Sequence, residues 1–341
     1  MDDDGQPTGD GDPPHHIPRL EQGALIHMTS HRQHLPQLDG GLFLNDAGLE
    51  TDLIFNHGIE IPEFAAHTLL EDGDGRAALT RYMEAFLALA RDTGCGFILD
   101  TQTWRAQPHF AEALGQSNDQ LREANRRAVE FAVALRHQFS TNVGPIVVNG
   151  LIGPRGDAYA PEEDIAAAEA ERYHRDQLGW LADSDVDMVT ALTFAQSEEA
   201  IGVARAAQSF GLPVVVSFTV ETDGRLPTGQ PLGEAIASVD TATGGYAAYF
   251  MLNCAHPDHF ADQIVGADWA HRIRGLRCNA SRQSHAELDE CEVLDDGDPV
   301  ELAAAYRQLK DSLPWLNVFG GCCGSDLRHV TEIARSISAG D

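Results

Sequence analysis

Eight short β-rich runs alternate with longer helical patterns along most of this chain. Eight strands that alternate with helices over about 300 residues are typical of a single-domain α/β fold, the (β/α)8 TIM barrel, and fit it better than a doubly wound sheet. No G-x-G-x-x-G follows the first run, which argues against a dinucleotide site. The runs occupy residues 42–45, 96–100, 145–149, 186–191, 213–218, 248–253, 275–279 and 317–320.

The N-terminal segment differs from the rest of the chain. Residues 1 to 38 are rich in Asp, Gly, Pro, His and Gln and show almost no apolar periodicity. A segment of this composition cannot bury enough apolar surface to offset the loss of chain entropy on folding. We therefore predict a disordered acidic extension over residues 1–38 and a barrel domain over residues 39–341.

The chain is strongly acidic. It has 53 acidic and 23 basic residues, a formal net charge of −30, and Lys310 as its single lysine. Such a surface repels nucleic acid and anionic membranes, so we expect neither as a partner. The charge favours a halophilic protein, because concentrated salt screens the repulsion between carboxylates.

Three further observations predict a cytoplasmic protein. No apolar stretch approaches the roughly 20 residues of a membrane span, and the acidic N-terminus lacks the basic start of a signal peptide. The six cysteines among 341 residues do not reach the density of a secreted disulfide scaffold. We therefore expect reduced thiols that are available for a metal.

Polar and small residues follow the predicted strands at their C-terminal ends, where the active sites of TIM barrels form. Asp46 comes directly after the first strand. Because this edge of the barrel gathers such residues around one opening, we predict that they bind a substrate there. The other candidates, in strand order, are Thr101, Gln102, Gly150, Thr219, Asn253 and Asn279.

Two adjacent cysteines, Cys322 and Cys323, lie in a glycine-rich turn after the eighth strand, in the run GGCCG at residues 320–324. Neighbouring residues of a regular strand point to opposite faces, but flanking glycines permit a turn that aims both sulfurs at one soft cation such as Zn²⁺. Cys254 ends the sixth strand and is the candidate third ligand. Three thiolates leave one tetrahedral position open, as in catalytic zinc sites. The alternatives are two buried thiols or a strained vicinal disulfide.

With these motifs the chain resembles the homocysteine S-methyltransferase family of zinc-dependent barrel enzymes over nearly all of residues 41–341. The GGCCG turn is similar to the signature of that family. Asn253-Cys254, followed by Pro257, is similar to the segment that supplies the first zinc cysteine. Residues 46–53, DAGLETDL, are similar to the opening D-G-G-x-G-T-E-L pattern of the family.

The resemblance implies a homocysteine-binding barrel domain and a zinc-dependent S-methyltransferase. Such an enzyme moves a methyl group from a small donor to a thiol acceptor, with homocysteine as acceptor and methionine as product. Cys254, Cys322 and Cys323 would hold the Zn²⁺, and Asp46 would orient the acceptor for catalysis. The donor would be S-methylmethionine, S-adenosylmethionine, a betaine or a methylfolate. The sequence leaves open whether the chain forms a homo-oligomer.

One position departs from the family pattern. The family usually ends its fourth strand with Glu-Thr, and that glutamate binds the amino group of the acceptor, whereas this chain has Leu192-Thr193 there. A leucine cannot pair with an ammonium ion, and a buried unpaired cation is costly. The acceptor is therefore either homocysteine held by another acid, such as Glu50 or Glu221, or a different small thiol. A zinc hydrolase and a non-catalytic zinc barrel are the remaining alternatives.

Overall fold

The computed structural model describes residues 31–159, 165–291 and 293–338, and in them the chain forms a closed barrel of eight parallel strands. Each strand pairs with the next one in sequence, and the eighth closes on the first, where Val318 lies opposite Phe43. The predicted (β/α)8 fold is therefore confirmed. The strands are β1 (Phe43–Leu44), β2 (Gly96–Asp100), β3 (Ile146–Ile152), β4 (Met188–Phe194), β5 (Val214–Phe218), β6 (Phe250–Asn253), β7 (Ile273–Cys278) and β8 (Val318–Gly321).

Helices connect the strands and cover the outside of the barrel. A π-helix at Asp52–Asn56 continues the first helix, and short 3-10 helices occupy several of the loops. In the described part of the chain, no helix is long and apolar enough to cross a membrane. The α-helices are α1 (Leu49–Thr51), α2 (Gly73–Thr93), α3 (Asn118–Phe139), α4 (Ala167–Ala182), α5 (Ser197–Ser209), α6 (Leu232–Thr243), α7 (Pro257–Ile264), α8 (His285–Asp289), α9 (Pro299–Ser312) and α10 (Leu327–Ser338).

Local side chains determine where several helices begin. Asp72 accepts a hydrogen bond of 2.7 Å from the amide of Gly75 at the start of α2. Ser117 and Gln120 form a capping box at the start of α3. These contacts satisfy amide groups that the first turn of a helix leaves without a partner. They fix the points at which the loops from the strand ends enter the outer layer.

Apolar side chains pack on both faces of the sheet. On the outer face, residues such as Leu44 and Phe97 belong to the same buried cluster as Met83 and Phe86 of α2. Successive residues of a strand point to opposite faces, so every second strand residue belongs to the interior. The inner cluster consists of Leu35, Phe43, Ile98, Val147, Met188, Val215, Tyr249, Met251 and Val318.

The interior changes from apolar to polar along the strands. In each of the strands β2 to β6, the inward residue two positions after the apolar residue of the inner cluster is buried and polar. Polar groups therefore meet at the C-terminal end of the barrel, which is the end where TIM barrels form their sites. These polar residues are Asp100, Asn149, Thr190, Ser217 and Asn253.

The predicted boundary of the extension after residue 38 is wrong for residues 31–38, while residues 1–30 lie outside the described residues. His31–Gln33 and Pro36–Asp39 form two short 3-10 helices. Leu35 is buried in the inner cluster of the barrel, and Gln37 is also buried. The segment closes the N-terminal end of the barrel with two side chains and has no helical or strand periodicity, so its sequence does not predict a folded structure.

Removing residues 31–38 should destabilise the barrel. We expect a chain that begins at residue 39 to unfold at a lower urea concentration than a chain that begins at residue 31. The expected loss is at least about 2 kcal/mol, because the inner cluster loses Leu35 and becomes exposed to water. Urea unfolding followed by circular dichroism measures the difference, and equal stability of the two chains would contradict the role given to this segment.

Candidate active site

A cavity of about 440 Å³ opens at the C-terminal ends of the strands. Of the residues predicted to form the site, most line it and three do not. Gly150 faces away from the cavity, because a Cβ atom there would meet the side chains of Leu181 in α4 and Val189. Thr219 and Asn253 are buried behind the cavity wall. The predicted residues that line the cavity are Asp46, Thr101, Gln102, Cys254, Asn279, Cys322 and Cys323.

The three predicted zinc cysteines meet at this cavity, with all their Sγ atoms within 4.8 Å of one another. Cys254 has a left-handed backbone with φ of 53°, which turns its side chain out of the direction of β6. Gly324, with φ of 76°, ends the turn after Cys323. A side chain at Gly324 would also collide with the carbonyl oxygen of Asp295, 2.6 Å from the Cβ position, so only glycine fits.

The backbone of β7 and the residues after it holds all three cysteines in place. The amide of Cys254 donates to the carbonyl oxygen of Arg277 at 3.1 Å, and the amide of Cys322 donates to that of Cys278 at 2.9 Å. The carbonyl of Cys323 accepts a hydrogen bond of 3.1 Å from the amide of Ala280. The three sulfurs come from two different strand ends, and β7 lies between those strands and aligns them.

In the structure, Cys254 and Cys322 are joined as a disulfide, with Cα atoms 5.4 Å apart. The bond therefore does not join the neighbours Cys322 and Cys323, as the vicinal alternative requires. In the reduced state the three residues supply three thiolates at one point. Zn–S bonds of about 2.3 Å place two tetrahedral sulfur ligands about 3.8 Å apart, so the reduced cluster fits one zinc ion.

Polar groups contact each of the sulfurs. The Thr193 hydroxyl lies 3.9 Å from the Cys254 sulfur, and the Asn253 amide lies 3.9 Å from the Cys322 sulfur. Asn253 also donates to the Thr193 hydroxyl oxygen at 2.7 Å, so the proton of that hydroxyl points away from Asn253. The Tyr159 hydroxyl lies 4.0 Å from the Cys323 sulfur. These donors stabilise negative charge on the sulfurs, because hydrogen bonds to a charged form favour it.

Two predicted residues, Asn279 in the cavity wall and Thr219 behind it, support the cluster through the backbone of Cys254. The Asn279 amide donates to the carbonyl oxygen of Cys254 at 3.1 Å, and the Thr219 hydroxyl lies 3.5 Å from the same oxygen. His285, from α8, also contacts this oxygen through Nε2 and stacks on Tyr159 with ring centroids 4.2 Å apart. His285 and Tyr159 are site residues that sequence reasoning missed, because neither directly follows a strand: each lies seven residues after the end of one.

A buried ion cluster lies below the cavity, and its central residue, Arg277, was not among the predicted site residues. Its guanidinium donates to Asp46 at 2.6 Å and forms a second ion pair with Asp100. It also donates to the carbonyl oxygens of Gly321 at 3.1 Å and Ala47 at 3.2 Å. The signal in the sequence is a basic residue within residues 275–279, the run predicted as the seventh strand.

Arg277 changes the expected role of Asp46. Burial is the main cause that raises the pKa of Asp46 to about 7; Arg277 opposes the rise, and the nearby Asp100 and Glu50 carboxylates contribute to it. Burial opposes the charge on Arg277, yet the two aspartates raise its pKa overall. One carboxylate oxygen of Asp46 is therefore occupied by an internal ion pair, although the residue lines the cavity.

The wall of the cavity at β4 has no acidic side chain. Leu192 lines the cavity at the predicted position, and the indole Nε1 of Trp104 donates to its carbonyl oxygen at 3.0 Å. Of the two acids considered as replacements, Glu50 lines the cavity. Glu221 lies behind it, with its carboxylate 3.3 Å from Nδ1 of His285.

Replacing Arg277 by methionine should destabilise the protein in a pH-dependent way. At pH 8 we expect a loss of about 3–5 kcal/mol, because two buried carboxylates lose their cation. Without the guanidinium the pKa values of Asp46 and Asp100 rise further, so the folded state binds protons more tightly than the unfolded state. The stability of the variant then falls as pH rises, and the loss relative to the natural protein is smaller at pH 5.

Urea unfolding at pH 5 and pH 8 measures this effect. The matched control is Arg126→Met, which removes an exposed arginine that pairs with Glu123 and Glu130. Exposed pairs contribute little, so the control should stay close to the natural protein at both pH values. An equal loss at pH 5 and pH 8 for Arg277→Met would show that the arginine acts through packing and not through charge.

Comparisons with known proteins agree with this arrangement. The chain is 26% identical to methionine synthase of Mycobacterium leprae over 238 residues, which are 64% of this chain and 18% of that protein. The methionine synthase of Mycobacterium tuberculosis is 25% identical, with the same coverage. The chain thus spans less than a fifth of the length of these curated relatives.

Solved structures show the same fold. The homocysteine methyltransferase MmuM from Escherichia coli in its metallated form superposes with a TM-score of 0.70 at 17% identity, covering 90% of this chain and 99% of that chain. Its oxidized form superposes with a TM-score of 0.68. The family described as homocysteine S-methyltransferase matches residues 43–337. This chain therefore belongs to the homocysteine S-methyltransferase family.

Proposed function

We propose that this protein transfers a methyl group from a small donor to the thiol of homocysteine and so forms methionine, with zinc held by Cys254, Cys322 and Cys323. The observation that carries the proposal is the meeting of three cysteine sulfurs within 4.8 Å at the wall of one cavity. Family membership supports homocysteine as the acceptor. The acidic chain and the need for reduced thiols are consistent with a cytoplasmic, salt-adapted enzyme, which stays a prediction.

Zinc bound by these thiolates would supply the Lewis acidity that keeps the substrate thiol deprotonated at neutral pH. The protein contributes the position of the reacting groups. Asn253 and Thr193 orient the sulfurs from behind, and Asn279 and Thr219 fix the carbonyl oxygen of Cys254. Holding donor and acceptor in one cavity converts a reaction between two molecules into one within a complex, which lowers the barrier substantially.

The walls of the cavity favour a cationic methyl donor. Phe55 and Phe64 are each 45% exposed at its rim, and Trp104 lines it further inside. Aromatic faces attract sulfonium and quaternary ammonium groups. Acidic lining residues outnumber the two arginines, which favours a sulfonium or betaine donor over an anionic methylfolate. The acidic residues that line the cavity are Asp46, Glu50, Asp100, Asp157 and Asp295.

The zinc content of cysteine variants tests this proposal. Protein purified with a reductant should contain about one zinc per chain, because three thiolates form a catalytic zinc site. Cys254→Ser, Cys322→Ser and Cys323→Ser should each lose most of the metal and reduce methyl transfer to homocysteine at least a hundredfold. Metal analysis of the purified protein and a methionine assay with S-methylmethionine, S-adenosylmethionine or betaine measure the two quantities.

Cys291→Ser is the matched control. Cys291 also lines the cavity but lies outside the three-sulfur cluster, and it is exposed. This variant should keep both its zinc and its activity. Full zinc content in all three cluster variants would contradict the zinc assignment, and a zinc-loaded protein inactive with every donor would contradict the proposed reaction.

A second acceptor class follows from Leu192. If no acid had replaced the missing glutamate, the enzyme would accept a thiol without an amino group as readily as homocysteine. The measurement is kcat/KM for homocysteine and for 4-mercaptobutanoate, which is the same molecule without its amino group. Because a charged hydrogen-bonded contact strongly favours the ligand that makes it, we expect a preference of about a hundredfold for homocysteine. Equal values would favour a different small thiol as the acceptor.

A further inference from the structure

We propose that Glu50 and Arg105 bind the two ends of an α-amino-acid head group in this cavity, with Glu50 at the ammonium and Arg105 at the carboxylate. Neither residue belongs to the set that the family resemblance implies for this role. The inference deepens the proposed function and rests on it, because it names the chemical class of ligand that the cavity selects.

Glu50 lies close to the sulfur cluster. It belongs to α1, and a Cβ atom on the preceding Gly48 would be only 2.5 Å from the carbonyl oxygen of Cys322, so the two segments are in direct contact. The Glu50 side chain is partly buried and lines the cavity. Among the described residues, no basic side chain forms an ion pair with it, and burial raises its pKa. A carboxylate in this position is stabilised by a ligand cation.

Arg105 is held rigidly on the other side of the cavity. Its guanidinium lies 4.3 Å from the ring centroid of Trp104 and 4.1 Å from that of Phe110. One nitrogen donates to the carbonyl oxygen of Gly156 at 3.2 Å, whereas Nε is buried and has no hydrogen-bond partner. Burial lowers the pKa of Arg105, and among the described residues no carboxylate forms an ion pair with it. A planar guanidinium fixed between two rings is suited to bind a carboxylate.

Glu50 and Arg105 face the same space without pairing with each other. Each influences the pKa of the other, yet no ion pair joins them. The ammonium and carboxylate of an amino acid are attached to one carbon atom and have opposite charges. A zwitterionic head group between the two side chains would therefore satisfy both, while a thiol or donor with a single charge would satisfy only one.

Other charged groups of the cavity are already engaged. Asp46 and Asp100 each form an ion pair with Arg277. Asp157 is close enough to raise the pKa of Arg105, and it has interactions of its own. The pair of Glu50 and Arg105 is thus the arrangement that a zwitterion fits best.

The signs of the two charges fix the orientation of the head group. The ammonium lies toward the Glu50 carboxylate, and the carboxylate lies toward the Arg105 guanidinium, which stacks on the Trp104 indole.

Two substrates of the proposed reaction can supply this head group, namely the acceptor homocysteine and a sulfonium amino acid donor such as S-methylmethionine. Isothermal calorimetry on the zinc-loaded natural protein and on Glu50→Gln and Arg105→Gln distinguishes them. The thiol probes are homocysteine, which has both charged groups, 4-mercaptobutanoate, which lacks the amino group, and 3-aminopropane-1-thiol, which lacks the carboxylate. The donor probes are S-methylmethionine and its analogue without the amino group, 4-(dimethylsulfonio)butanoate.

We expect the natural protein to bind homocysteine at least about tenfold more tightly than either single-charge thiol. In Glu50→Gln the preference over 4-mercaptobutanoate should disappear, and in Arg105→Gln the preference over 3-aminopropane-1-thiol should disappear. If the head group belongs to the donor, Glu50→Gln removes the preference for S-methylmethionine over its analogue, and the variant binds the three thiols with equal affinity. Either pattern supports the inference.

The controls are Glu234→Gln and Arg91→Gln, which make the same chemical changes at exposed residues outside the cavity lining. Both should bind every probe as the natural protein does. Zinc content and melting temperature of each variant show that the site is intact. Unchanged discrimination in both Glu50→Gln and Arg105→Gln, for thiols and donors alike, would overturn the inference.

Failure of the proposed function gives a different result. If the natural protein contains no zinc, or binds homocysteine equally well after Cys323→Ser, the zinc-thiol chemistry is wrong. The test of the head group still works in that case. S-methylmethionine and its analogue have no thiol, and their binding affinities are compared without turnover.

Discussion

Arg277 pairs with Asp46 and Asp100 inside the barrel, and the geometry of the whole C-terminal end depends on this cluster. The guanidinium comes from β7, and its two carboxylate partners come from the loop after β1 and from β2. It also reaches the backbone of β8 at Gly321. One residue therefore connects the strands on both sides of the point where the barrel closes. Burial raises the pKa of both aspartates, and Arg277 opposes that rise, so the guanidinium is what stabilises their negative charge inside the barrel.

The same strand positions the cysteines. The backbone from Arg277 to Ala280 makes a hydrogen bond with each of Cys254, Cys322 and Cys323. The side chain of Arg277 is fixed by its ion pairs while its carbonyl group fixes Cys254. Loss of the ion cluster would therefore move the sulfurs as well as reduce stability, which couples the fold of the barrel to the thiolate site.

The sequence was sufficient to predict the barrel because each strand contains an apolar run and each run is followed by a helical pattern. The cysteine cluster was predictable for the same reason, since strand ends meet at one edge of the barrel. Gly150 was placed wrongly in the cavity, because the face to which a strand residue points depends on a register that only the closed sheet defines. Leu35 was missed because it closes the barrel without periodicity, and the partners of Arg277 are distant in sequence.

The leucine at position 192 is consistent with the rest of the cavity. A glutamate there would lie on the wall that contains Trp104 and Arg105, because the indole is bonded to the carbonyl of residue 192. Its carboxylate would compete with a ligand carboxylate for the guanidinium. An apolar side chain at this position keeps Arg105 available and leaves Glu50, in α1, as the acid that we propose for an ammonium ion.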